Sequence, residues 1–137
     1  MHNIKLYTKE DIQTIADKAE LFYISQGSHD SRGNIKNAIL GAQIISLAFI
    51  GDDIVGAAKV VGDGVRFSTI VDLVVGKQYR GQGVGTDLVQ SLAKSCDTFH
   101  VNLYTDPNDP GLTDFYKKAG FELVEGVYDF EWPKDKN

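Results

Sequence analysis

The chain is poor in several things, and each scarcity excludes something. It has a single cysteine, Cys96, among 137 residues. No intramolecular disulfide can form, and a zinc site built from several cysteines is excluded; no metal is expected. Its three prolines, Pro107, Pro110 and Pro133, all fall late. With no Pro-rich linker, internal repeat or long charge run, no boundary divides residues 1–137, and one domain is expected. No stretch approaches the roughly 18 apolar residues of a membrane span. Met1–Glu10 holds no apolar run that would serve as a signal peptide, so the expected location is cytoplasmic and no membrane partner is expected. Positive charge is also short: 14 Lys and Arg stand against 19 Asp and Glu, a net charge of -5. Phosphate neutralisation needs clustered Lys and Arg, so nucleic acid is not an expected partner, and an acidic surface better suits a cationic one. What is present is ordinary for a globular protein, 42% apolar and 24% charged, which argues against a disordered tail. A chain of this size buries roughly two thirds of its unfolded surface and holds a core without staples.

The hydrophobic period changes along the chain. Asn3–Tyr7 reads as a short strand. Thr8 is expected to cap a helix, with Asp11 three residues on, and Ile12, Ile15, Ala16, Ala19 and Phe22 or Tyr23 mark its apolar face. A polar loop at 27–33 precedes a short helix with Ile35, Ala38 and Ile39 on one side. Ile44–Ile50, a Gly51-Asp52-Asp53 turn and Ile54–Val61 read as an antiparallel hairpin. Gly62-Asp63-Gly64 is a second turn, with Asp63 read as a turn residue. Phe67–Val75, the most apolar strand, is expected to be central. Val84, Leu88, Val89, Leu92 and Ala93 mark a helix, Phe99–Tyr104 a strand, and Leu112, Phe115, Tyr116 and Ala119 a last helix closed by Gly120. Phe121–Leu123 and Val127–Trp132 finish as strands, the latter either completing one monomer's sheet or pairing across a homodimer. The fold class is α+β: a mixed, mostly antiparallel central sheet with flanking helices and one β-α-β crossover at 67–104, parallel and right-handed.

The segment with chemical content is Val71-Asp72-Leu73-Val74-Val75-Gly76-Lys77-Gln78-Tyr79-Arg80-Gly81-Gln82-Gly83-Val84-Gly85-Thr86. A buried strand ends, a glycine-rich loop turns and a helix begins, so several backbone N–H groups point at one spot beside the positive end of a helix dipole. That is an anion site suited to a phosphate or pyrophosphate. Gly81, Gly83 and Gly85 carry no Cβ to hold a phosphate off the backbone. Lys77 and Arg80 are the only charged residues from Leu73 through Thr86. A Walker A loop would need a Lys-Ser or Lys-Thr pair after its glycines, which this loop lacks. A dinucleotide fingerprint would need glycine where Thr86 stands. A glycine-rich helix start used only for tight packing is a further alternative.

The remaining pattern, Arg-x-x-Gly-x-Gly from Arg80 to Gly85, resembles the acetyl-CoA pyrophosphate loop of the Gcn5-related N-acetyltransferases. Downstream, Leu112-Thr113-Asp114-Phe115-Tyr116-Lys117-Lys118-Ala119-Gly120-Phe121 resembles that family's late motif, a Tyr on the last helix followed by Gly-Phe. Asp72-Leu73-Val74-Val75 is similar to its fourth strand. The resemblance covers residues 44–123 and loosens over the first 40. It implies the acyl-CoA N-acyltransferase fold and acetyl-CoA as co-substrate. The pyrophosphate would lie on the amides of Arg80, Gly81, Gln82, Gly83, Val84, Gly85 and Thr86. The pantetheine arm would bond to the main chain of Leu73 and Val75, much as a peptide adds to a sheet edge. The amide of Val74 or Val75 is the implied oxyanion donor, and Tyr116 the implied donor to the departing thiolate. On spacing alone, Tyr116 reads instead as an aromatic core residue beside Leu112 and Phe115.

One departure stands out. Many family members carry an Asn seven residues before the late Tyr, contacting the pantetheine arm. Here Asp109 stands there with Asn108 beside it, and an ionised carboxylate cannot donate. Asp72 is a candidate base beside the cofactor strand, although a sheet residue bonded to a neighbouring turn is the preferred reading. His29 and His100 lack a carboxylate at helical spacing. Cys96, with no His or basic cluster near it in sequence, reads as a partly buried small hydrophobe. The activity implied is direct acetyl transfer to a primary amine. Asp30, Asp63, Asp72, Asp106 and Asp109 favour a small cationic acceptor. The alternatives are a protein or peptide amine, a non-catalytic acyl-CoA sensor, and a nucleotide-binding protein using the same loop.

Overall fold

In the computed structural model, residues 1–28, 34–105 and 108–124 are described. The elements run β1 (Asn3–Thr8), α1 (Glu10–Ser25), α2 (Ile35–Leu40), β2 (Ile44–Ile50), β3 (Asp53–Gly62), β4 (Phe67–Val75), a 3-10 turn (Lys77–Tyr79), α3 (Val84–Ser95), β5 (His100–Leu103) and α4 (Pro110–Lys118). The described strands form one sheet in the order β1-β2-β3-β4-β5. Successive strands are antiparallel except β4 and β5, which are parallel across α3. This is the mixed sheet and parallel crossover that the sequence predicts. The strand expected at Val127–Trp132, like His29, Asp30 and Asp106, lies outside the described residues.

Strand alternation splits the core between the two faces of the sheet. Ile45, Leu47, Phe49 and Ala57 meet Ile12, Ala16, Ala19, Phe22 and Tyr23 of α1 and Ile39 of α2. Ala48, Val55, Ala58, Val60 and Ile70 meet Val84, Leu88, Val89 and Leu92 of α3, with Phe115 and Tyr116 of α4 packed at the margin. Each aliphatic side chain buried here contributes about 1.5–3 kcal/mol. Both helical stripes follow the predicted spacing. The small residues of β3 set how close α3 comes: a Cβ on Gly56 would lie 2.9 Å from Leu88 Cδ1 and 2.9 Å from Val84 Cγ1. Only glycine there lets the first turn of α3 seat on the sheet.

Three local expectations are revised. Thr8 does not cap α1: it is still paired with Ile44 at the end of β1, and the chain turns through Lys9, which is the N-cap at φ 47 without a side-chain hydrogen bond. Strand pairing holds Thr8 and displaces the cap by one residue. Phe121–Leu123 forms no ladder among the described residues; the Phe121 N–H instead donates to Tyr116 O at 2.9 Å, winding the chain back onto the end of α4. Ladder pairing in β5 covers His100–Leu103, inside the expected Phe99–Tyr104. Two turns behave as read. Gly51, at φ 60, occupies the first corner of the β2–β3 turn, the glycine position of a II′ hairpin. Asp63 Oδ1 accepts from the amides of Val65, Arg66 and Phe67 at 2.8, 2.7 and 3.1 Å. These bonds, from Val65 first and then Phe67 and Arg66, hold the Asp63 carboxyl below its ordinary range.

Candidate active site

The site begins where β4 and β5 part. Their pairing runs only from Phe67↔His100 to Ile70↔Leu103. Beyond it, β4 is laddered to β3 alone, and among the described residues no strand covers its other edge through Val75. Leu73, Val74 and Val75 therefore stand half-buried on a one-sided strand. Backbone groups on such an edge need partners.

At the end of that edge the backbone turns. The Gly76 N–H donates to Val55 O at 2.8 Å, and the Tyr79 N–H to Gly76 O at 2.8 Å. Arg80 Nε donates to Val75 O at 3.2 Å, tying the loop to the strand end while the rest of its exposed side chain reaches outward. Gln82 Nε2 donates to Gln78 O at 3.3 Å across the loop. Gly81 and Gly83 are both left-handed, at φ 78 and 85, and a Cβ on either would meet nothing within 4 Å. The space over these glycines is open, while their backbone conformation requires glycine. Gly83 is the N-cap of α3 and makes no side-chain capping bond. The helix start thus presents the first-turn amides of Val84, Gly85 and Thr86 without a side-chain acceptor, the arrangement that receives an anion. Gly85 serves differently. It is buried, and a Cβ there would press on Phe115 at 3.1 Å and lie 3.5 Å from Val75 Cγ2. Its missing side chain lets α4 close over the junction of β4 and α3.

Tyr116 lies one residue along from that contact. Its ring stands edge-on to Phe115 (centroids 5.0 Å apart) and to Phe121 (6.1 Å). It lines a cavity of about 600 Å³ with Val101, Leu103, Thr105 and Thr113. Partial burial raises the Tyr116 pKa above its ordinary value, so the phenol stays protonated. Thr105 Oγ1, in the same wall, is buried and has no hydrogen-bond partner among the described residues. Asp109 has a defined structural task. As the N-cap of α4, its Oδ1 accepts from Gly111 N at 2.9 Å and Leu112 N at 3.2 Å.

Three residues to which the sequence reading gave no role in the site are brought to its edge. Phe115 seats α4 on Gly85. Lys59, on the α1 face of β3, has a side chain only 7% exposed and pairs with Asp72 Oδ2 at 3.0 Å. Tyr23 Oη donates to Asp72 O at 2.8 Å. Asp72 is thus bonded to a strand and a helix, not to a neighbouring turn. The signal in the sequence was a lone lysine inside the apolar run Val55–Val61. Elsewhere, His100 is exposed and stacked on Phe67 with centroids 5.2 Å apart, and Cys96 is half-buried against the α3 core, as the sequence suggests. Among the described residues no group of three or more His, Cys, Asp or Glu side chains is placed to hold a metal ion, and no helix is long and apolar enough to cross a membrane.

The chain is similar to several known proteins. It is 32% identical over 83 residues to GCN5-related N-acetyltransferase 2, chloroplastic, of Arabidopsis thaliana, which covers 58% of this chain and 31% of that protein. It is 26% identical over 99 residues to the uncharacterized N-acetyltransferase ycf52 of Pyropia yezoensis, covering 72% of this chain and 57% of that one. The matched part of the chain spans only 31% and 57% of the length of these two curated relatives. Among solved structures, the GNAT family acetyltransferase SP0256 of Streptococcus pneumoniae TIGR4 superposes with a TM-score of 0.76 at 25% identity, over 96% of this chain and 98% of that chain. An aminoglycoside acetyltransferase from an uncultured soil metagenomic sample, meta-AAC0020, has the same fold, with a TM-score of 0.71 at 16% identity over 96% and 95% of the two chains. Residues 10–121, which contain the open edge of β4, the glycine loop and the Tyr116 helix, match the Acetyltransferase (GNAT) family, and to that family the chain belongs.

Proposed function

We propose that the protein is an acetyl-CoA-dependent N-acetyltransferase that moves the acetyl group directly to a primary amine, with a small cationic molecule as acceptor. The observation that carries this reading is the continuity of a strand edge that no described strand covers, Leu73–Val75, with an uncapped helix start across a loop of left-handed glycines. The two halves suit the two ends of one long ligand: an amide-bearing arm against the strand and a pyrophosphate on the amides of Arg80 through Thr86. Gly81 and Gly83 leave that cradle unfilled, and Lys77 and Arg80 give it positive charge in a protein of net charge -5.

In the reaction, the neutral amine attacks the thioester carbonyl, the C–N bond forms and the C–S bond breaks. The amine proton goes to solvent and the thiolate acquires a proton. This chain would supply the Val74 or Val75 amide to the carbonyl oxygen as charge develops there. Tyr116 would serve the leaving sulfur. With ordinary pKa values of about 10 for a phenol and 8.5 for a thiol, full proton transfer is uphill by about 2 kcal/mol. The upward shift at Tyr116 makes it steeper. Tyr116 therefore acts mainly as a hydrogen-bond donor that stabilises thiolate charge in a partly dry site. The acidic composition supports a cationic acceptor, since net negative charge raises the local concentration of amines.

The test is the thermal midpoint with and without excess acetyl-CoA, ATP and NAD. A ligand at 100 times its Kd should contribute about 2.7 kcal/mol. A shift with acetyl-CoA alone, followed by CoA release in the presence of a panel of small amines, is the expected result. Binding without turnover on any amine would make the protein an acyl-CoA-binding module. No shift with acetyl-CoA would remove the basis of the reading.

A further inference from the structure

Asp72 is the one non-glycine residue of the described sheet with a positive φ, at 55°. It sits inside β4, three residues before the end of the strand. The β3–β4 register changes across it, from Ala57↔Val74 to Lys59↔Val71, so that Asp72 and Leu73 together oppose Ala58. This is a β-bulge, and a bulge re-aims the backbone groups that follow it. Those groups belong to Leu73, Val74 and Val75, the strand edge that no other described strand covers. Aspartate adopts a positive φ more readily than most non-glycine residues, but the conformation still costs free energy, and contacts from other elements can offset that cost.

Two contacts from other elements do so. Tyr23 Oη, from α1, donates to the Asp72 carbonyl oxygen at 2.8 Å. Lys59 Nζ, from β3, meets the Asp72 carboxylate at 3.0 Å. The asymmetry of burial is informative. The Lys59 side chain is 7% exposed and that of Asp72 58% exposed. A buried ammonium needs an anion far more than a half-solvated carboxylate needs a cation. The pair therefore pins Asp72 to Lys59, against the α1 face of β3, and Tyr23 fixes the carbonyl of the same residue. Burial, with the Asp72 charge adding to it, raises the Tyr23 pKa, so this phenol remains a donor.

We propose that Tyr23, Lys59 and Asp72 form a positioning lock that holds the β4 bulge in its left-handed conformation, and so aims the Leu73–Val75 backbone at the acyl donor. On this proposal the Asp72 carboxylate acts on Lys59 and not on the acceptor amine. The catalytic consequence rests on the acetyltransferase reading; the backbone consequence does not.

The experiment compares Asp72→Ala with the double variant Lys59→Met/Asp72→Gly. Alanine disfavours the positive φ and leaves Lys59 buried without its anion. The double variant removes both charges while glycine takes the left-handed conformation freely. Two quantities are read: the amide chemical shifts of Leu73–Val75 in the ligand-free protein, and kcat with KM for acetyl-CoA and amine. Asp72→Ala should move the three amide signals and lower kcat about tenfold or more. The double variant should return the signals toward their parent positions and bring kcat back to within about threefold. Tyr23→Phe, which keeps its ring packed and removes one bond, should shift the same amides with a smaller loss of kcat. It also serves if Asp72→Ala does not fold. A double variant that restores the amide signals but is as slow as Asp72→Ala would show the carboxylate acting directly in the reaction and overturn the proposal. So would amides that stay in place in both Asp72→Ala and Tyr23→Phe. If the parent protein neither binds acetyl-CoA nor releases CoA, the acetyltransferase reading fails, and the amide signals still decide the lock.

Discussion

Replacing Gly83 by alanine separates two roles that one glycine can have. Gly83 caps α3 at φ 85, and a Cβ there would touch no protein atom within 4 Å. The folded protein alone should therefore feel only the backbone penalty. An L-residue in this conformation costs about 1–2 kcal/mol, which at about 4 °C per kcal/mol lowers Tm by roughly 4–8 °C. Gly51 provides the control. It is also left-handed, at φ 60, also open around its absent Cβ, and lies in the β2–β3 turn, away from the α3 start. Gly51→Ala should lower Tm by at least as much, because the first corner of a II′ turn excludes a side chain more strongly than the left-handed helical region does. The two variants should part on ligand binding. The new methyl at residue 83 stands where the anion would rest on the amides of 84–86. Loss of one charge-assisted hydrogen bond, about 1.5–3 kcal/mol, weakens acetyl-CoA binding about 10–100-fold. Gly51→Ala should leave it unchanged. Calorimetric titration of acetyl-CoA into both variants and the parent is the assay. Equal Kd values for all three, with both variants destabilised, would refute the phosphate cradle and leave Gly83 as a turn residue.

Other outcomes follow from the same geometry. Tyr116→Phe keeps the ring packed between Phe115 and Phe121 and removes only the hydroxyl, so kcat should fall about 10–1,000-fold with KM for acetyl-CoA little changed; unchanged turnover would reassign Tyr116 to packing. Because burial raises the Tyr116 pKa, its protonated form persists as pH rises to about 10. A loss of kcat between about pH 8 and 9 that disappears in Tyr116→Phe would contradict that. Asp63, whose carboxyl is held low by the amides of Val65, Phe67 and Arg66, should stabilise the fold above the unfolded value of about 3.9. That contribution is lost as pH falls through the lower folded value. The Tm gap between the parent and Asp63→Asn should therefore narrow on acidification from about pH 6 to 3, and a constant gap would show that the carboxylate is not the acceptor that matters.

Much of this molecule follows from its residues taken in order. The stripe Val84, Leu88, Val89, Leu92 places α3 against the sheet because helical period and apolar spacing agree. The run Arg80–Thr86 marks the loop and helix start, because left-handed turns and open amides need glycine and no other residue meets both demands as well. Gly51 and Asp63 define their turns through local chemistry. What escaped the sequence depends on contacts between distant segments. Thr8 had the chemistry of a cap, but pairing with Ile44 kept it in the sheet and passed the turn to Lys9. Asp109 stood out in sequence only as a departure from the family's Asn, and the structure makes it the cap of α4. Asp72 had two readings in the sequence, a base or a turn-bonded sheet residue. Its positive φ, set by Lys59 and by a tyrosine 49 residues away, decides which way the end of β4 faces. The sequence determined where backbone amides become available, because that is a matter of local residue type. Only the tertiary structure decided where they point, because the direction of a strand edge is set by the side chains packed against it from other elements.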